Sequence, residues 1–150
     1  MDEAAITQYI IDTFAGVETS TAMGYTFFFY GSERMFPFAT LATEDNEYDR
    51  VSHLDRPSVF RLNIGVSRAT YHSLFGSTQP HLGPDGVVDT GHDFTALDQL
   101  LPHPVYAPQS WVCVLNPGAA TFQTVRSLLA EAYERAARKQ AKGAAPTDES

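Results

Sequence analysis

The segment Val59 to Val66 alternates so regularly that it reads as a β-strand with two unlike faces. Phe60, Leu62, Ile64 and Val66 point one way, and Val59, Arg61, Asn63 and Gly65 point the other. A strand with a wholly apolar side must bury that side against a second layer. Its other side carries a guanidinium and an amide, so it either meets water or is covered by groups that satisfy them. The chain is therefore expected to be layered, with one face of its sheet chemically special.

The remaining periodicities say what the layers are. Asp2 is placed to cap a helix in which Ile6, Tyr9, Ile10 and Phe14 recur at three- and four-residue steps, with Gly16 ending it. Thr21 to Tyr30 and Phe36 to Thr43 are aromatic and β-branched, and Gly31-Ser32-Glu33-Arg34 between them predicts a hairpin. Pro37 places the start of the second strand there, or puts that strand at a sheet edge. Ser67 is expected to cap a short helix carrying Tyr71, Leu74 and Phe75, stopped by Gly76. A long loop follows from Ser77 to Gly91, with a short strand at Val87-Val88, and Asp93 is expected to cap a turn or two through Leu97 and Leu101. A last strand, Ser110 to Leu115, places Trp111, Cys113 and Leu115 on one face. Asn116-Pro117 then reads as an N-cap with proline at the first helical position. The final helix carries Phe122, Val125, Leu129, Ala132 and Ala136 inward, with Glu131–Arg135 and Glu134–Arg138 pairs on its wet side. Strands gathered between terminal helices suit an α+β fold, an antiparallel sheet with the N-terminal and C-terminal helices packed on it. Residues 1–143 form one domain in this reading, and 144–150 a disordered tail.

Charge and cysteine usage narrow the partners. The chain has 150 residues and a formal net charge of −8, and five of its ten Lys and Arg (Arg126, Arg135, Arg138, Lys139, Lys142) fall in the last helix region. Phosphate recognition draws on Lys and Arg, so neither nucleic acid nor an anionic membrane is an expected partner. Cys113 is the single cysteine, which rules out an internal disulfide and fits a reducing, cytoplasmic setting. The N-terminus is acidic where a signal peptide is basic, and no apolar run approaches a membrane span.

No Gly-rich phosphate loop, G-x-S-x-G elbow, H-E-x-x-H or Cys-x-x-Cys is present, so no organic cofactor is implied. His53, Asp55, His81, His92, Asp93 and His103 lie in loops that would have to converge to bind a metal, and no pair of these histidines has helical i,i+4 spacing. No metal is expected. His103, flanked by Pro102 and Pro104, is the candidate proton carrier, and with nearby Tyr106 it is expected to form a rigid acid–base pair toward a small substrate. Its bland alternative is a buried hydrogen bond holding the loop. Arg61 becomes an anion clamp, and Asn63 a donor beside it, if the long loop closes over their face. Trp111, His92 and Phe29 complete the expected ligand lining.

Three fragments carry a resemblance. They are Phe27-Phe28-Phe29-Tyr30 with Phe36-Pro37-Phe38-Ala39-Thr40; Asp55-Arg56-Pro57-Ser58-Val59-Phe60-Arg61-Leu62-Asn63-Ile64-Gly65-Val66; and His103-Pro104-Val105-Tyr106 with Trp111-Val112-Cys113-Val114-Leu115-Asn116-Pro117. Together they resemble a family of small proteins common in actinomycetes and catalogued as a domain of unknown function. More loosely, the element order is similar to the MmcQ/YjbR group, a small antiparallel sheet with helices. The resemblance transfers no catalytic residues. Family members near natural-product gene clusters imply a small-molecule role in secondary metabolism, while the DNA binding suggested for some of the wider group is opposed by the charge of −8. The expectation is a domain that binds or transforms a small molecule, leaving open whether it is an enzyme. The alternative is a non-catalytic interaction module, a homodimer that uses its sheet or aromatic hairpin.

Overall fold

The computed structural model describes residues 2–144. Helix α1 (Glu3–Thr13) starts at Asp2, whose carboxylate accepts the Ala5 N–H at 2.8 Å. Strands β1 (Val17–Ala22), β2 (Tyr25–Tyr30), β3 (Ala39–Ala42) and β4 (Arg61–Gly65) precede the short helix α2 (Arg68–Phe75). Strands β5 (Leu100–Pro102) and β6 (Trp111–Leu115), separated by a 3-10 turn at Ala107–Gln109, lead into the long helix α3 (Ala119–Ala144). The six strands form one sheet in the order β1-β2-β3-β4-β6-β5, with every neighbouring pair antiparallel. The expected α+β architecture is present. The C-terminal tail reading falls on residues 145–150, outside those described, while Ala144 still belongs to α3.

Register assigns the two faces. Leu62 and Ile64 stand beside Leu41 and Ala39 on β3 and Val114 and Val112 on β6, with Phe28 next in line on β2. This face forms the core with Ile6 and Ile10 of α1 and Val125, Leu129 and Ala132 of α3, all fully or almost fully buried. Tyr133 of α3 stacks on Phe14 and meets Tyr30 and Phe38 edge-on. The opposite face carries Tyr25 and Phe27 on β2, Thr40 on β3, Arg61, Asn63 and Gly65 on β4, and Cys113 and Trp111 on β6. The segments between strands cover it.

Several local expectations are refined or replaced. The expected hairpin is present, β2 pairing antiparallel with β3 across residues 31–38. A second one precedes it, turning at Met23-Gly24 inside the expected first strand, where φ values of 52° and 79° make a tight two-residue turn matched to strand twist. A methionine in the left-handed region gives no composition signal, so two strands read as one. β3 shrinks to four residues and lies between β2 and β4, and Pro37 precedes it without putting it at an edge. Val88 makes only an isolated bridge to Leu82. Asp93 caps no helix; it folds back on the Thr95 N–H and hydroxyl, and Leu100–Pro102 is a strand. Asn116 is a clamp, not a helix cap. With φ of 43°, it accepts the Phe60 N–H at 2.9 Å and donates to the Ser58 carbonyl at 2.8 Å. Asp98 serves the start of α3 instead, accepting the Gly118 N–H at 2.7 Å.

The α3 charges also turn inward. Glu131 accepts the Ser67 N–H and the Thr70 hydroxyl at the start of α2, and Arg135 donates to the Gly65 and Val66 carbonyls. Both side chains tie α3 to the β4–α2 junction, where periodicity alone predicts surface pairs.

Candidate functional site

Arg61 is fully buried, with 0% of its surface exposed, in the middle of the sheet. Its Nη1 donates to Asp49 Oδ1 at 3.1 Å and to the Ser52 hydroxyl at 2.9 Å, its Nη2 donates to Asp49 Oδ2, and its Nε donates to Asn63 Oδ1 at 2.8 Å. The fork meets the carboxylate in the two-pronged geometry that makes such pairs strong. Asn63 passes the chain on, donating to Thr40 Oγ1 at 2.9 Å across the β3–β4 ladder. Asp49 also accepts from the Tyr25 hydroxyl at 3.1 Å, which in turn accepts from Asn46. Burial works to raise the Asp49 pKa, but the hydrogen bonds and charge of Arg61 outweigh it and hold the carboxyl below its ordinary range. Burial, helped by the Asp49 charge, pushes the Tyr25 phenol up to about 12.

The loop supplying Asp49 is built to stay. Residues 44–57 contain only a bridge between Asn46 and Asp49, yet Leu54 and Ser52 are buried and Asp45 accepts the Leu54 N–H. Arg56 donates to the Ser52, His53 and Thr95 carbonyls, pinning the loop to the later connection.

His103 follows β5 and is 3% exposed. Its Nδ1 accepts two backbone N–H groups, from Val105 and Tyr106, each at 3.0 Å. Those bonds require an unprotonated Nδ1, so the ring proton sits on Nε2. Burial, with the Arg61 charge next in size, holds the His103 pKa well below the ordinary histidine value, against a smaller opposing pull from Asp49. The ring is thus a neutral donor. Tyr106 packs against it at 5.0 Å between centroids and is itself 54% exposed, while Trp111 meets it edge-on at 6.4 Å. The Trp111 ring lies across Gly65, where a Cβ would stand 2.9 Å from its Cε2; only glycine leaves that space.

Cys113 stands opposite Asn63, fully buried, with its thiol 3.7 Å from the Pro102 carbonyl and pushed up to about 12 by burial. It packs as an apolar residue.

The structure therefore brings Arg61, Asn63, His103 and Trp111 to one face, with Tyr106 at its rim. Phe29 shares the face but lies further along β2, stacked on Phe27 and under Arg34. His92 has other partners: its ring packs on Phe75 and Phe94, and Nδ1 meets the Thr90 hydroxyl. Asp49, Ser52, Thr40 and Tyr25 are the residues that sequence reasoning missed. The acidic loop read as solvated, although a charge buried mid-strand demanded a counter-charge from somewhere. Among the described residues no group of three or more His, Cys, Asp or Glu is placed to hold a metal ion. No described helix is long and apolar enough to cross a membrane.

The concave surface next to His103 is an open depression of about 360 Å³ walled by Pro80, His81, Leu82, Val105, Tyr106 and Pro108. Gln79 bridges its two sides by donating to the Pro108 carbonyl.

Fold and site together define a class: a two-layer α+β domain whose sheet carries helices on one face and a buried, charge-paired polar network on the other. Within that class, the chain belongs to the family of unknown function DUF6194, whose model matches residues 1–145. No curated protein matches it. A crystal structure of a protein from Pseudomonas syringae, a structural-genomics target, is similar over 91% of this chain and 99% of that one at 15% identity. The TM-score between the two is 0.49.

Proposed function

We propose that this domain binds a small molecule in the depression beside His103, with the Arg61 network as its rigid electrostatic backing. The observation behind this reading is the burial of a complete ionic and polar group, Arg61–Asp49–Asn63–Ser52, on the sheet face that also carries buried His103, whose neighbours Val105 and Tyr106 wall the depression. A buried ion pair contributes little stability compared with apolar residues of the same volume. Such networks, with a histidine of strongly shifted pKa, concentrate at functional sites.

The side chains favour binding over proton transfer. Arg61 spends four N–H bonds on Asp49, Ser52 and Asn63, so it acts as a fixed field more than as a clamp closing on ligand. His103, with both Nδ1 contacts taken by backbone, can donate through Nε2 but cannot accept a proton there. Exposed Tyr106 and Leu82 provide the apolar contact, and the ligand class that fits is a small, partly aromatic molecule. The proposal includes a cytoplasmic setting, supported by a single buried thiol, and kinship with the MmcQ/YjbR group, supported by the helix–strands–helix order.

A thermal-shift screen of small aromatic compounds tests it. Binders should raise the melting temperature of the native chain and lose that effect in Tyr106→Ala and His103→Gln. Hits that ignore both substitutions, or an absence of hits, would overturn the proposal.

A further inference from the structure

Strand β1 is the outer strand at one end of the sheet, and it is unlike the edge at the other end. β5 has three residues, ends in proline, and is followed by a segment whose Pro104 carbonyl is already taken by the Val88 N–H. β1 has six, Val-Glu-Thr-Ser-Thr-Ala, with no proline, lysine or bulge. Every residue after the half-buried Val17 is exposed, on both faces of the strand. A strand exposed on both faces gains nothing from side-chain burial and keeps a row of free backbone groups, the state that natural edges usually avoid.

The register says which groups are free. The two-residue turn at Met23-Gly24 makes Ala22 and Tyr25 a hydrogen-bonded pair, and at the other end the Gly31 N–H donates to the Gly16 carbonyl. The even-numbered residues of β1 therefore bond to β2. The N–H and C=O groups of Val17, Thr19 and Thr21 point away from the sheet.

We infer that β1 pairs antiparallel with β1 of a second copy of this chain, about a two-fold axis at Thr19. This register opposes Thr19 to Thr19 and Val17 to Thr21, with two hydrogen bonds for the first pair and two for each of the others, six in all. It sets Glu18 across from Ser20, whereas centring on Glu18 would oppose two carboxylates. The Glu18 charge is further offset by its pair with Arg34 of the same chain. A self-matching strand of this kind fits a copy of itself better than an arbitrary peptide. The product is one continuous twelve-stranded sheet, two copies of the six-stranded one, with the helices of both on the same side.

Sedimentation velocity from about 10 µM to about 1 mM tests this, with the native chain compared with Thr19→Lys and Thr19→Pro. Both substitutions fall on an exposed side chain and an N–H that β2 does not use, so far-UV circular dichroism should be unchanged. The native chain should pass from monomer to dimer across the range. Thr19→Lys places two ammonium groups at the axis, Thr19→Pro removes two of the six bonds, and each should weaken the dimer at least about tenfold. A native chain that stays monomeric throughout, or a dimer that both variants leave intact, would overturn the inference.

Discussion

Replacing Asp49 by asparagine removes one charge and almost no volume from the centre of the polar face. Arg61 would remain fully buried and charged, facing an amide that can accept only one of its two prongs. Truncating one member of a buried pair costs about 3–5 kcal/mol, because the survivor keeps its desolvation penalty. Against a domain stability of about 5–15 kcal/mol, that is a large share. For a chain of this size it corresponds to a fall in melting temperature of roughly 6–20 °C. Urea titration followed by the fluorescence of Trp111, the only tryptophan, measures it directly. The acid limb supplies an independent check. A carboxyl held low in the folded state stabilises the fold above the unfolded value of about 4, and loses that contribution as pH falls through the folded value. The stability of the native chain should fall over that window and that of Asp49→Asn should fall less. The double variant Asp49→Leu with Arg61→Met should recover most of the loss. An Asp49→Asn protein within about 1 kcal/mol of the native chain, with an unchanged acid limb, would refute the reasoning.

Three further outcomes follow from the same face. His103 is kept neutral by burial, while an unfolded histidine takes up a proton below about pH 6.5, so acidification below that value favours the unfolded chain. The ring carbon shifts of His103 should accordingly stay at their neutral positions at pH 5 in the folded protein. Cys113, buried and with its thiol pushed up to about 12, should react with Ellman's reagent at pH 8 only as fast as the protein unfolds; fast labelling of native protein would contradict its placement. Gly65→Ala should cost about 1–3 kcal/mol and shift Trp111 emission, since the new methyl meets the indole at 2.9 Å.

Much of the fold was legible because it rests on period. The alternation from Val59 to Val66 assigned both faces of β4 correctly, and Ser67 does cap α2, accepting the Thr70 N–H. What misled was local chemistry that carries more than one meaning. Asn116-Pro117 has the composition of a helix start, yet a left-handed Asn116 stitches two strands together, and the capping carboxylate comes from Asp98, eighteen residues earlier in the chain. Met23-Gly24 makes the tightest turn in the sheet with a residue that composition does not associate with turns.

For the site, the sequence alone determined that a cationic and an amide side chain share one face of a strand, because a two-residue period leaves no freedom in that. It also determined that His103 and Tyr106 lie close together, since three residues and a proline span little distance. Only the tertiary structure decided that Asp49, among five acidic residues between Glu44 and Asp55, is the partner of Arg61. That selection depends on how residues 44–57 cross the sheet and on where Leu54 and Arg56 anchor them. A charge in a loop has no period to announce its direction, and burial supplies the energy that singles out one carboxylate.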